Sequence, residues 1–240
     1  MTESEALDGL VNLRDLGGLP VAGGATTADG VVLRSDAPYH GDRAPELTWP
    51  PAAVIDLRDP VELGGRDHPL REFSTVHSVP LLEDVEEHEE REDEARHAMT
   101  VLYQHILDQS AKKLVEVFRI VLDTEGPVLI HCAAGKDRTG VASAMLLGAV
   151  GVRPDAIVAD YVRTDRNMLR VLQRLNGGAA LPPGVDEEMV RKLVSAPAEA
   201  MESVLARFDE HDDGAAGWLR SHGVTAAEID RWRERFLVAD

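Results

Sequence analysis

Cys132 is the only cysteine in the 240-residue chain, and five residues separate it from Arg138. The segment His131-Cys132-Ala133-Ala134-Gly135-Lys136-Asp137-Arg138-Thr139-Gly140 follows the apolar run Pro127-Val128-Leu129-Ile130 and precedes the apolar stretch Val141 to Val150. That order predicts an interior strand, a short loop and a central helix. A loop feeding a helix N-terminus turns backbone N–H groups inward and forms an anion-binding concavity. Such a nest suits the oxygens of a phosphoryl group, and Gly135 supplies the backbone freedom it needs. Arg138, at the helix start, can grip two oxygens with its planar fork. The same field favours a thiolate, so Cys132 is predicted to attack phosphorus in line with the leaving oxygen. The phosphate-binding set is then Ala133, Ala134, Gly135, Lys136, Asp137, Arg138 and Thr139. The Thr139 hydroxyl is a candidate donor to the sulfur, and His131 is expected to orient the loop through backbone contacts.

A departing alkoxide or phenolate needs a proton, which a carboxylic acid commonly supplies. Two residues qualify: Asp137 inside the loop and Asp84 just after Val79-Pro80-Leu81-Leu82. Lys136 adds charge that would favour strongly anionic substrates. Arg163, Arg166 and Arg170 recur on the following helical stretch, as entrance groups or as solvated charges. Asp56 with Arg58, and Arg14 with Asp15, read as structural ion pairs or loop anchors.

The elements that must hold these groups are legible in outline. Val31-Val32-Leu33-Arg34, Ala52 to Arg58 and Thr75 to Leu82 are strand candidates, separated by Gly-rich turns. From Glu86 to Leu122 the pattern turns helical, with Met99, Leu102, Tyr103 and Ile106 on one face and Leu114 to Leu122 on a second helix. Gly151 is a helix stop. Further helices are expected near 155–175, 186–194, 197–211 and 225–238, the last opened by a capping box of Thr225 and Glu228. Residues 1–240 are expected to form a single domain: 10–131 before the loop, 132–138 the loop itself, and 139–240 a helical part. The flexible Gly177-Gly178 and Pro182-Pro183-Gly184 punctuation suggests a lid within 176–200.

Composition narrows the classes of function. A formal net charge of -18 would repel nucleic acids and anionic membranes. Nine acids crowd residues 83–94, which reads as a solvated face. One cysteine leaves no intramolecular disulfide. With no apolar signal core at the start and no apolar run approaching 18 residues, stable membrane insertion is not expected. The cytoplasm is the expected location, with export by a non-classical route left open. No His-x-x-x-His pair or compact His/carboxylate cluster reads as a metal site. Neither metal nor other cofactor is expected, and no oligomeric state can be assigned.

The loop string resembles the active-site loop of the bacterial atypical tyrosine phosphatases, a dual-specificity-like branch of the cysteine-dependent phosphatase superfamily. Asn12-Leu13-Arg14-Asp15-Leu16-Gly17-Gly18, Leu33-Arg34-Ser35-Asp36, Val54-Ile55-Asp56-Leu57-Arg58 through Glu62, and Ser221-His222-Gly223-Val224 match that family in order. The resemblance runs from about residue 10 to 237. It implies an α/β cysteine-phosphatase fold, with a mixed sheet of four or five strands flanked by helices and a helical C-terminal region. It also implies activity on phosphotyrosine in proteins, with phosphoserine, phosphothreonine or phosphoinositides as alternatives, and favours Asp137 over Asp84 as the acid. Phosphate or other oxyanions are the expected loop ligands. A sulfurtransferase fits the Lys136 to Gly140 segment poorly. A binding module that holds phosphorylated ligands without turnover is the alternative of another class, and intact Cys132 and Arg138 argue against it.

Overall fold

The computed structural model describes residues 7–82, 92–178, 190 and 195–238. Its main sheet has five strands in the order β1-β3-β6-β4-β5, from β1 (Arg14–Asp15), β3 (Val32–Ser35), β4 (Ala53–Asp56), β5 (Thr75–Ser78) and β6 (Val128–His131). β1 runs antiparallel to β3 and the other pairs are parallel. The sheet is therefore mixed, as the resemblance implied.

β6 lies at the centre because its apolar side chains can be buried on both faces, which an interior parallel strand requires. Alternation then sorts its residues. Val128 and Ile130 join the main core with Val32, Ile55 and the helix α4 (Asp137–Ala149), while Leu129 packs with Leu33, Val54 and Leu70 on the opposite face. By the same period His131 faces the Leu70 side and Cys132 the α4 side. Ser35 and Asp56 pair in register with His131 on either flank. The loop thus leaves the carboxyl ends of the strands, where the chain order of the sheet reverses and open α/β sheets place their ligands.

α1 (Pro60–Leu63) opens on Asp59 in a capping box with Glu62. α2 (Glu92–Gln109) and α3 (Ala111–Asp123) follow β5, and α3 buries Leu114, Val115, Val117, Phe118, Val121 and Leu122. Beyond α4, Gly151 takes a left-handed φ of 82° at the expected stop. The helix expected over 155–175 is divided into α5 (Pro154–Val162), a 3-10 turn (Arg163–Asn167) and α6 (Met168–Leu175). α7 (Ala198–Asp209) and α9 (Ala226–Phe236) match expectation, including the Thr225–Glu228 capping box. α8 (Gly214–Ser221) was not expected. Leu237 and Val238 do not extend the last helix but pair as β7 with β2 (Thr26–Thr27). The expected helix over 186–194 falls almost wholly outside the described residues, as do Asp84, most of the acidic run and most of the suggested lid. Among the described residues no helix is long and apolar enough to cross a membrane.

Candidate active site

The loop is held from outside by its carbonyl groups. The Asn12 side-chain amide donates to the carbonyls of Ala134 (3.0 Å) and Gly135 (3.3 Å). Arg34 Nη2 donates to Gly135 O at 2.9 Å, and the Ala37 amide donates to Ala133 O at 3.0 Å. The His131 ring meets Cys132 O through Nδ1 at 3.0 Å. Since N–H and C=O of a trans peptide unit point in opposite directions, carbonyls drawn outward leave the amides facing in. The amides of Ala133, Ala134 and Gly135 donate to no protein acceptor among the described residues. α4 begins at Asp137 with no side-chain cap, so its first N–H groups add to the same concavity.

Gly135 is fixed by two constraints at once. Its φ is +68°, and a Cβ there would sit 2.2 Å from the Ser35 carbonyl oxygen. The loop therefore lies against the end of β3 with no room for a side chain.

Arg34, Asp36 and Asn12 are themselves anchored. Arg34 Nη1 and Arg14 Nε meet the Asp160 carboxylate at 2.7 and 2.6 Å, all three side chains buried. Burial works to raise the Asp160 pKa, but the two arginines outweigh it and hold it below the usual value. Arg14 therefore pairs with Asp160 rather than with Asp15, whose carboxylate accepts from the Gly17 and Gly30 amides. Asp36 accepts from the Val11 and Asn12 amides and from Arg174. In the sequence Arg34 directly follows the apolar run Val31-Val32-Leu33, and a charge carried on by a buried strand demands a buried partner.

Arg138 stands at the mouth. Its Nη1 and Nη2 meet the Glu62 carboxylate at 2.5 and 2.8 Å, and Nη1 also reaches Leu57 O at 3.4 Å. A guanidinium has five N–H donors in a fixed fork, so Nε and one N–H of Nη2 are left without a protein acceptor among the described residues. Burial tends to lower the Arg138 pKa, but Glu62, Cys132 and Asp137 outweigh it and hold it above the usual value. Cys132 is 2% exposed, at the core end of the loop.

Asp137 opens α4, where its charge complements the helix N-terminus. Tyr103 Oη donates to its Oδ1 at 2.7 Å and is in turn 2.7 Å from Tyr161 Oη. Burial first, then Asp137, pushes the Tyr103 pKa well up, so it stays a donor. Asp137 Oδ2 takes no hydrogen bond among the described residues. Tyr103 was legible only as an apolar-face residue of α2.

Lys136 does not extend freely toward the loop. Its ammonium reaches Ser195 O at 3.3 Å, Met99 S at 3.7 Å and Asp137 at 3.6 Å. Thr139 Oγ1 is buried without a hydrogen bond among the described residues, so the bond to sulfur considered above is not made here. Arg163 and Arg166 are exposed on the 3-10 turn and Arg170 is half-buried.

One grouping escaped the sequence. Asp56, His68 and His131 are all buried and bring potential ligand atoms within 4.8 Å of one another, a compact cluster where spacing suggested none. The three are far apart in the chain, and only the strand register and the 64–74 turn unite them. Asp56 is committed to Arg58, which donates to both its oxygens at 2.9 and 2.7 Å. Burial lowers the His68 pKa to about 4, helped by His131, and burial also lowers that of His131. Both rings are neutral near pH 7.

Comparison with known proteins agrees with this geometry: the family model described as "Tyrosine phosphatase family" matches residues 5–238. The chain belongs to the tyrosine phosphatase family. Triple specificity protein phosphatase PtpB of Mycobacterium tuberculosis is 33% identical over 119 residues, which are 45% of this chain and 42% of that protein. A tyrosine-protein phosphatase of Nostoc commune is 32% identical over 138 residues, 55% of this chain and 47% of the other. A Cupriavidus necator protein, assigned only provisionally by its name to the tyrosine-protein phosphatases, is 29% identical over 249 aligned positions, 94% and 84% of the two chains. This phosphatase family member thus spans less than half the length of the first two relatives and most of the third.

Proposed function

We propose that this chain hydrolyses phosphate monoesters, phosphotyrosine in proteins foremost, through a phosphocysteine intermediate on Cys132. The observation that carries the reading is the division of the loop's hydrogen bonds. Its carbonyls are tied outside, while the amides of Ala133, Ala134 and Gly135 and the Nε/Nη2 edge of Arg138 are left for an oxyanion. In the first step the Cys132 thiolate forms an S–P bond as the P–O bond to tyrosine breaks, and Asp137 passes a proton from Oδ2 to the leaving oxygen. In the second, water attacks phosphorus, the S–P bond breaks and Asp137 recovers the proton. Lys136, Gly135, Ala133, Ala134 and the start of α4 at Asp137, Arg138 and Thr139 line the phosphoryl site. The tyrosine-directed reading is favoured over a lipid-directed one because the Lys136 ammonium is already engaged by Ser195 O and Asp137. A broader range, as in the name of the Mycobacterium relative, is the second reading.

The test is a panel of aryl phosphate, phosphotyrosine, phosphoserine and phosphothreonine peptides and phosphoinositides. Cys132→Ser is expected to lower turnover by about 10⁴-fold or more while phosphate still binds. Asp137→Asn is expected to slow turnover about a hundredfold and to remove the alkaline limb of the pH–rate profile. The same change in Asp84→Asn, with Asp137→Asn unaltered, would move the acid to that residue. Undiminished turnover by Cys132→Ser would refute the mechanism.

A further inference from the structure

The backbone at Leu70 decides the tautomers of both buried histidines. The Leu70 amide can only donate, and it donates to His68 Nδ1 at 3.2 Å. A neutral imidazole has one donor and one acceptor nitrogen, so His68 carries its proton on Nε2. That nitrogen faces His131 Nε2 at 3.0 Å, which must then accept. His131 consequently carries its proton on Nδ1, the atom 3.0 Å from Cys132 O. Reversing both rings would set the Leu70 N–H against an N–H and the Cys132 oxygen against a lone pair. A doubly protonated His131 would require His68 to accept on Nε2, and so to meet the same conflict at Leu70.

We infer that His68 is a positioning residue: it locks His131 in the Nδ1–H tautomer and thereby fixes the peptide unit that carries the Ala133 amide into the phosphate loop. The inference rests on the reading of that loop as an oxyanion site. The Cys132 carbonyl and the Ala133 N–H belong to one peptide unit and point in opposite directions, so a donor behind the carbonyl aims the first amide of the nest. Three features make the lock stiff. His131 is fully buried and His68 is 7% exposed, so water does not compete freely for the shared proton. The rings pack at 5.1 Å between centroids. The 64–74 turn that presents His68 is pinned by the Arg71 amide donating to His68 O and by the Leu70 side chain in the core behind β6. A divalent metal held by Asp56, His68 and His131 would compete for the same nitrogens. It would have to displace the Nε2 proton of His68 and sit beside the Arg58 guanidinium that already occupies both Asp56 oxygens.

Long-range ¹H–¹⁵N spectra of the full chain test the tautomers without relying on activity. The expected pattern is Nδ1–H for His131 and Nε2–H for His68; an Nε2–H form of His131 would overturn the inference. In parallel, His68→Leu removes the donor, whereas His68→Gln keeps an N–H facing His131. His68→Leu is expected to weaken phosphate binding and lower kcat about tenfold each, the loss of one hydrogen bond behind the loop, with His68→Gln restoring most of both. Thermal unfolding of the variants separates this from loss of fold, and the Gln variant decides the matter should the Leu variant not fold. Wild-type kcat in folded His68→Leu refutes the lock. So does stoichiometric zinc binding by the wild type that His68→Leu abolishes, since it identifies a metal site instead. A wild type that turns over no aryl phosphate would sink the functional reading alone, because the ring spectra would still decide the tautomers.

Discussion

The two sides of the loop from Cys132 to Arg138 obey opposite rules. On the outer side Asn12, Arg34, Asp36, Asp160 and His131 are buried, and their side-chain polar atoms, Arg34 Nε excepted, have hydrogen-bond partners in the protein, the loop carbonyls among them. On the inner side the amides of Ala133 to Gly135 have no protein acceptor among the described residues, and at the loop's end neither have Nε and one Nη2 N–H of Arg138. Buried polar groups are costly unless paired, so the outer side, paired at all these atoms but one, behaves as scaffold. The unsaturated side keeps its capacity for an external anion. The difference teaches that the inner donors are available because the outer bonds fix the peptide planes: preorganisation is built behind the site rather than in it.

That contrast can be broken from either side. Arg138→Ala removes the inner fork, and kcat/KM for an aryl phosphate is expected to fall about a thousandfold, with thermal stability nearly kept because Glu62 can turn to water. A large drop in stability with modest kinetic loss would move Arg138 to the scaffold. Asp160→Asn attacks the outer side, leaving the Arg14 and Arg34 guanidiniums without their buried counter-charge. It is expected to cost about 3–5 kcal/mol by urea denaturation; a change below about 1 kcal/mol would show that the network is not structural.

Acid sharpens the same comparison. Folding holds the His68 pKa at about 4 against an ordinary 6.5, and also lowers that of His131. The unfolded chain therefore binds protons first as pH falls. Stability is expected to be fully present above about 6.5 and to decline steadily toward about 4, with a shallower slope in His68→Gln. A flat denaturation midpoint across that window would contradict neutral, buried rings. The smallest effect belongs to a pair remote from the loop. Arg119 meets Glu228 at 2.8 Å on the surface, and Arg119→Ala is expected to change stability by less than about 1 kcal/mol and leave turnover unaltered.

The sequence by itself determined the local grammar. Val128 to Ile130 had to be an interior strand, Val141 to Val150 a buried helix, and the residues between them a loop with Cys132 at one end and Arg138 at the other. These follow from apolar periodicity and spacing, which act between near neighbours in the chain. The partners of the charges were beyond that reach. Arg14 joins Asp160 rather than its neighbour Asp15, Arg138 joins Glu62, and Tyr103 emerges from an apolar helix face to hold Asp137. His68, Asp56 and His131 meet only because strand register sets two of them side by side and a turn folds the third over them. Such choices are made by three-dimensional burial, where a polar atom must find whichever complementary atom the packing brings within about 3 Å.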